Sequence, residues 1–494
     1  MATLIIDRLN DDILLLILSY LEKRDLCALS LTCKHCHMIS SPRLWAVLSI
    51  DRAFFVSWWH ENLVTNAHYV REMAICVDLD SAPTLPDVLF ATKNIVSLEL
   101  FRSALLHDNP RLSMALAGLR ELRKLSCDSV EDNMLPTIQN IPSPNLTSLC
   151  LGYKGRTHAC DDLPSLISVI RSFPRLYALI LERFKPATID IANYPLFTSI
   201  QDLTFNVTGL AATDLIYLCP NVTSLRLSLY HPHKTGALES RPRWRGPSPI
   251  PRLTLTILHM HARNLIVSLL ERQALRATHV RFPMVWNFTQ DGISTTHSRF
   301  TRIFDVLKPY SLYLEISATW HAKLSDRTGT LWQEVAAAAP HLRALVLDVN
   351  SVDDSHPDGE GQRLWAPPDA LVAELAQLPL VCVHLKADLE LLERKGDADL
   401  LRLRALAAFP RELAEAVPTL RVVGVSDGWG RLEGVRSTRW WCVERGDGDD
   451  AAARSLVELW REDGEWALRL VQNEAFCASD LDGIYSEKRR YVGE

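Results

Sequence analysis

The sequence predicts a mixed α/β protein in two parts: a short N-terminal unit of three helices, then a long irregular array of strand-and-helix repeats. In that array the strands form a parallel sheet on the concave wall of a solenoid, with helices outside. Three observations predict it. The chain has 494 residues, about three times the size of a typical domain, which calls for several modules or a repeat array. Apolar residues crowd a helical stretch near the start, from Ile13 to Leu21. Farther on, an apolar-x-x-apolar-x-apolar pattern returns at intervals in the twenties.

Composition narrows the class. With 48% hydrophobic and 23% charged residues, the chain has ample apolar surface for a folded core, which excludes disorder throughout. A net charge of -6 gives no general basic field for displacing counterions from nucleic acid, so no nucleic-acid partner is expected. The apolar run Ile13 to Leu18 is far below the roughly 18 residues of a membrane span, and no membrane association is expected. The 11 cysteines show no paired spacing and no leader precedes them. They read as reduced thiols of a cytoplasmic or nuclear protein.

In the first helix the apolar residues are Ile13, Leu14, Leu15, Leu16, Ile17, Leu18, Tyr20 and Leu21, and Asp11 and Asp12 favour its N-terminal dipole. A second helix is expected after Asp25, with Leu26, Leu29 and Leu31, and a third after Pro42, with Leu44, Trp45, Val47 and Leu48. Three short helices hide too little surface to bury every face of the first, so an apolar face is left over for a partner or for the rest of the chain. Cys33-Lys34-His35-Cys36-His37 matches the spacing of covalent haem attachment. Without an export signal, or a second cysteine pair for zinc, it reads as Cys33 filling the second helix with His35 and His37 solvated. No cofactor is expected.

The series Leu9, Asp12, Ile13, Ile17, Tyr20, Leu21, Asp25, Leu26, Leu29, Thr32, Cys33, Lys34, Leu44 and Trp45 resembles an F-box over residues 7–50, with Asn10 where that family usually has Pro and Asp12 where it often has Glu. The resemblance implies that Leu9, Ile13, Ile17, Leu21, Leu26 and Leu29 face a Skp-type linker protein, and through it a cullin. It also accounts for the surplus apolar face.

The repeat template occurs as Ile95-Leu98-Leu100, Leu122-Leu125-Cys127, Leu146-Leu149-Leu151, Leu176-Leu179-Leu181, Ile200-Leu203-Phe205 and Val222-Leu225-Leu227. Weaker matches follow at Leu255-Leu258-Met260, Ala277-Val280-Phe282, Leu342-Leu345-Leu347, Leu380-Val383-Leu385 and Leu420-Val423-Val425. Pro144, Pro174, Pro220, Pro340 and Pro418 each stand two residues before a template, where proline ends a helix and favours an extended chain. The second and third apolar positions lie two apart on a strand and point into one core. Stretches such as Leu163 to Phe173, Asp214 to Cys219 and Leu331 to Ala339 supply the helical backing. The pattern is similar to divergent leucine-rich repeats. Their usual Asn position holds Ser103, Val130, Lys154, Phe184, Thr208 and Tyr230 here.

The expected organisation is an F-box at 7–50, a linker or N-terminal cap at 51–90, the repeat solenoid at 91–430 and a C-terminal cap at 431–494. Loop insertions are expected at 231–251, which is basic and proline-rich, and at 351–368. In the cap, a strand at Trp440 to Val443 is followed by a helix from Ala452 to Trp460. Side chains between the buried leucines would face the concave wall and assemble a binding surface. These candidates are Glu99, Phe101, Lys124, Asp128, Glu182, Asn206, Arg226, His259 and Asp348.

Catalytic motifs are missing: there is no G-x-S-x-G elbow or phosphate loop, and His60-Glu61 has Val64 where a zinc protease needs His. The missing motifs favour a binding function, and the F-box resemblance implies a non-catalytic adaptor, the substrate-recognition subunit of a Skp-cullin-F-box ubiquitin ligase holding an unnamed protein substrate. The alternative is an interaction scaffold of the same build outside a ligase.

Overall fold

The computed structural model describes residues 10–52, 56, 65–76, 83–101, 110–153, 163–184, 194–207, 210–229, 246, 249–257, 267, 269–271, 275–282, 302–317, 331–350, 369–387, 397–427, 437–445 and 454–482. They form a mixed α/β protein with three helices first and sixteen strands after them. The chain divides into two compact units, Met1–Asn221 and Val222–Glu494.

The first unit opens with α1 (Asp11–Tyr20), α2 (Lys23–Ser30) and α3 (Lys34–Leu44). Asn10 caps α1 by accepting from the Asp12 amide at 3.3 Å, and Asp11 and Asp12 sit in its first turn, where carboxylates favour the helix dipole. Leu14 and Leu18, one turn apart, are buried with Leu26 and Cys36 as the apolar centre of this small unit. The third helix differs from the expectation. It begins at Lys34, with Cys33 as its cap accepting from the Cys36 amide at 3.4 Å, and Pro42 lies inside it. Cys33 therefore starts α3 instead of filling α2. Proline at 42 removes only one late hydrogen bond, and Trp45 ends the helix.

The sheet of the first unit follows at once. Its strands are β1 (Val47–Ile50), β2 (Glu72–Ile75), β3 (Ser97–Leu100), β4 (Lys124–Val130), β5 (Ser148–Tyr153), β6 (Ala178–Glu182) and β7 (Asp202–Val207). Each pairs in parallel with the next in chain order. The sheet begins at Val47, so the stretches assigned to the end of the F-box and to a linker already supply β1 and β2. Both carry the apolar template, as Trp45-Leu48-Ile50 and Val70-Met73-Ile75, within stretches assigned to other parts of the chain.

Register aligns the apolar template into two continuous rows. One is Leu48, Met73, Leu98, Leu125, Leu149, Leu179 and Leu203; the other is Ile50, Ile75, Leu100, Cys127, Leu151, Leu181 and Phe205. All fourteen are buried. Parallel strands need crossover connections, and those described carry α4 (Leu85–Ala91), α5 (Pro110–Ala117), α6 (Leu135–Gln139), α7 (Leu163–Ser172) and a 3-10 helix at Leu210–Leu218. Buried Val88, Leu112, Leu116, Ile138, Leu166 and Ile170 belong to these connections. The strand order has no reversal of the kind a doubly wound sheet shows. Where an Asn ladder would run, Val130 and Phe184 are buried instead, and Phe184 packs on Tyr153 at 5.3 Å between ring centroids.

The second unit repeats the plan with β8 (Ser224–Leu229), β9 (Ile250–Ile257), β10 (Ala277–Phe282), β11 (Ser311–Ser317), β12 (Ala344–Asn350), β13 (Cys382–Ala387) and β14 (Val422–Asp427), all parallel in chain order. Helices α8 (Leu331–Ala338), α9 (Asp369–Leu375) and α10 (Asp397–Ala416) lie in the connections. The rows run through Leu225, Leu253, Val280, Leu312, Leu345, Val383 and Val423, and through Leu227, Leu255, Phe282, Leu314, Leu347, Leu385 and Val425. Two expectations are corrected. The register of β9 uses Leu253 and Leu255, not Leu258 and Met260, because strand begins at Ile250 inside the expected proline-rich loop. Strand β11, with Leu312 and Leu314, has no counterpart in the template series. The five template prolines all stand at the turn before a strand, and the residues two places on, Leu146, Leu176, Val222, Leu342 and Leu420, are buried. The expected loop at 351–368 and most of 231–249 lie outside the described residues.

Strands β15 (Ser437–Arg445) and β16 (Arg454–Leu459) extend this sheet antiparallel, and α11 (Arg461–Val471) follows. The helix expected at Ala452 to Trp460 is thus a strand. Arg-Ser-Leu-Val-Glu-Leu pairs along β15, and ladder hydrogen bonds override its helical propensity.

Candidate functional site

Helix α1 turns most of its apolar side chains outward. Ile13 is 48% exposed, Ile17 41% and Tyr20 81%, and Leu15 and Leu16 are exposed as well. Exposed Leu31 and Met38 lie on the neighbouring elements. Isolated exposed leucines are ordinary, but five on ten residues of one helix form a patch of the kind that marks an interface. Of the six expected linker contacts, Ile13 and Ile17 are on this patch, Leu21 and Leu29 are half-buried, and Leu9 lies outside the described residues. Leu26 is only 2% exposed and packs inside the helical unit, which corrects its assignment to the contact surface. Leu15, Leu16 and Tyr20 are exposed too, although the F-box resemblance did not place them among the linker contacts. With nearly every position of α1 apolar, only packing against α3 shows that Leu14 and Leu18 are the inward pair.

The face of the first-unit sheet opposite the leucine rows brings four of the expected binding residues together. Glu99, Phe101, Asp128 and Glu182, with Ser126, Cys150 and Gly152, line a pocket of about 180 Å³. Three devices build it. A register shift between Cys127 and Val130, with Ser129 at φ 61°, forms a bulge that re-aims Asp128. Gly152 leaves room for Asp128, whose Oδ1 would lie 2.6 Å from a Cβ there. Arg183 then pairs with Asp128 across that glycine. Glu182 accepts a hydrogen bond from the Asn206 amide at 3.0 Å. The Cys150 thiol is pushed up to about 11, first by burial and then by the carboxylates of Glu182, Asp128 and Glu99, so the pocket carries a negative field. Exposed Phe101 stands at its edge and exposed Lys124 lies one row away.

In the second unit the same face has two different halves. Over β8–β10 it is open: Arg226, Arg252 and Arg281 are exposed. Only Arg226 stood among the expected residues; Arg252 was hidden by the misplaced register of β9, whereas Arg281 lies between Val280 and Phe282 of a recognised template and was legible there. Over β12–β15 the face is covered. Ala344, Cys382, Val422 and Cys442 share one register row and pack with Trp440, Leu459, Ala467, Val471 and Leu481 in a second core. Trp440 lies between Gly424 and Gly464, where an added Cβ would come within 2.6 Å and 2.0 Å of its ring or stem. His384 packs against it at 4.6 Å between centroids and hydrogen-bonds Ser426 Oγ through Nε2 at 2.8 Å. Arg343 donates to the Val471 carbonyl at 2.8 Å and stacks between Tyr310 and Phe476. Arg421 pairs with Asp482 at 2.6 Å.

Asp348, expected on the binding wall, is accordingly only 6% exposed and accepts a hydrogen bond from the Tyr313 hydroxyl, so it is a structural residue here. His259 lies outside the described residues. No group of three or more His, Cys, Asp or Glu placed to hold a metal ion occurs among the described residues. Nor is any described helix long and apolar enough to cross a membrane. The Cys33 thiol is held below its usual range, chiefly by its hydrogen bonds with Cys36, as helix capping alone requires.

A family model described as F-box-like matches residues 6–51, the stretch that contains α1, α2 and α3. The chain thus carries an F-box-like domain ahead of a long, mostly parallel β-sheet region, and F-box domains mediate protein interactions. No curated protein matches the chain.

Proposed function

We propose that this protein is a non-catalytic substrate-recognition subunit of a Skp-cullin-F-box ubiquitin ligase. The carrying observation is the outward apolar face of α1, with Ile13, Leu15, Leu16, Ile17 and Tyr20 exposed, on the helix that falls within the F-box-like match. An apolar face of this kind marks a site where a partner docks, and the occupant proposed is a Skp-type linker. The strands, in chain order with two apolar rows, are read as a divergent leucine-rich-repeat solenoid whose open face holds the substrate. Ligase activity would then come from raising the substrate's effective concentration near the ubiquitin-loaded enzyme.

Co-expression of the full chain with a Skp-type linker and a cullin tests this. A stable three-protein complex is expected. Ile17→Asp combined with Leu16→Asp should abolish linker binding while circular dichroism and the melting profile stay unchanged, because both side chains are exposed. Failure of the wild-type chain to hold the linker, or full binding by the double variant, would overturn the reading. Linker binding without cullin would leave an interaction scaffold.

A further inference from the structure

We propose that the open sheet face of β8–β10 docks an acidic segment of a partner protein, with carboxylates against the guanidiniums of Arg226, Arg252 and Arg281. The inference rests on the recognition role proposed above for the open sheet face, and names the chemistry it recognises.

Register places the three arginines in one cluster. Arg226 and Arg281 stand on either side of Thr254 in a single cross-strand row, about 10 Å apart at a strand spacing of roughly 4.8 Å. Arg252 lies on the central strand, two residues before Thr254 and on the same face. All three side chains are exposed, and none makes an ion pair with a described residue. Arg183, Arg302 and Arg421, by contrast, each hold a carboxylate.

Among the described residues no carboxylate pairs with these three guanidiniums, and a neighbour registers their positive field. His279, paired beside Arg252 in the next row, is pushed down to about 4, mainly by burial and then by Arg281 and Arg252. It is neutral near pH 7 and adds no charge of its own.

The cluster is also pre-ordered. The Arg281 guanidinium carbon lies 4.3 Å from the Tyr313 ring centroid, and the Tyr313 hydroxyl is fixed on Asp348. A side chain already stacked loses less freedom when it binds. Guanidiniums present planar forks that match carboxylates. Alternate residues of an extended peptide are about 6.6 Å apart, close to the roughly 7–8 Å diagonal between neighbouring strands. The face thus suits acidic residues at every second position. Nucleic acid is a poorer match: the whole chain is acidic at -6, and Tyr313, the aromatic ring at the patch among the described residues, lies buried beneath Arg281 and offers no platform for bases.

The test is fluorescence anisotropy of the full-length protein with a labelled peptide of about 12 residues alternating Glu and Ser, at low salt. Binding that weakens steeply with salt is expected, with no binding of a Lys-Ser peptide. Arg252→Glu with Arg281→Glu should weaken it at least about tenfold, whereas Arg411→Glu, at an exposed position of α10, should leave it within about twofold. Should the double variant melt abnormally, Arg252→Gln serves, with a loss of roughly three- to fivefold. Absence of wild-type binding, equal binding by the arginine variants, or displacement by single-stranded RNA at lower concentration than by unlabelled peptide would each overturn the proposal. Linker binding measured on the same preparations separates the two readings. Protein that holds the linker but not the peptide refutes the acidic-segment assignment alone, and the reverse result refutes the ligase reading alone.

Discussion

The two units present the same face of the same kind of sheet in opposite ways. In the first, the residues between the leucines line an acidic pocket around Glu99, Asp128 and Glu182. In the second, they start as an exposed arginine cluster and end as a second apolar core beneath α11. The core rows are apolar throughout in both units. What differs is the residue at the intervening positions: small or apolar Ala344, Cys382 and Val422 accept a helix, while charged Glu99 and Arg226 stay open to water. A repeat's core positions therefore fix its architecture, and the positions between them decide whether its other face is a surface or an interior.

Breaking the covered half should have the largest effect. Trp440 is fully buried between two glycines, and Trp440→Ala removes the centre of the second core. A loss of about 3–5 kcal/mol is expected from a truncation of this size, read as a lower midpoint in urea unfolding; a midpoint unchanged from wild type would show that α11 is not held by this core. Next comes Tyr313→Phe, which takes the donor from buried Asp348. About 1–2 kcal/mol should be lost, and because Arg281 keeps its ring partner, peptide binding at the arginine cluster should change little. A strong loss of that binding at full stability would place the hydroxyl itself in the recognition surface.

The smallest effect is expected in the acidic pocket. Gly152→Ala puts a methyl 2.6 Å from Asp128 Oδ1 and displaces the Asp128–Arg183 pair, whose members are 38% and 37% exposed. For so solvated a pair the stability cost is about 1 kcal/mol or less. The sharper readout is chemical. Moving Asp128 opens the site to water, so the Cys150 thiol, pushed up to about 11 chiefly by burial, should fall toward the ordinary thiol range and react faster with iodoacetamide at pH 8. Unaltered labelling would mean that the pocket relaxes around the methyl.

Much of this fold was legible in the sequence. The templates at Leu98-Leu100, Leu149-Leu151 and Leu345-Leu347 mark strands whose leucines align in register, and Pro174 and Pro340 mark their entry turns. Legibility failed where a local signal was short or ambiguous. Strands β1 and β2 match the template at Leu48-Ile50 and Met73-Ile75, but the helical reading of the N-terminal unit overlaps the first and a linker was expected at the second. Residues 454–459 look helical until β15 offers them a ladder. The candidate sites divide the same way. Glu99, Phe101, Asp128 and Glu182 converge on one pocket, whereas Asp348, chosen by the same spacing, and Leu26, assigned through the F-box resemblance, lie inside. Position on a face can be read from spacing, but what covers that face cannot.

By itself, the sequence determined the helical start, the parallel array, its two apolar rows and its turns, because each depends on residues within one repeat or the next. Tertiary structure decided the rest. The inward pair of α1 is set by packing against α3. The pocket depends on a bulge at Ser129 and on the space above Gly152. The segment that covers the apolar face of β12–β15 lies more than 60 residues from Arg343 and Arg421, which hold it. Contacts of that range leave no period in the chain, so only the folded molecule reveals which face remains open for a partner.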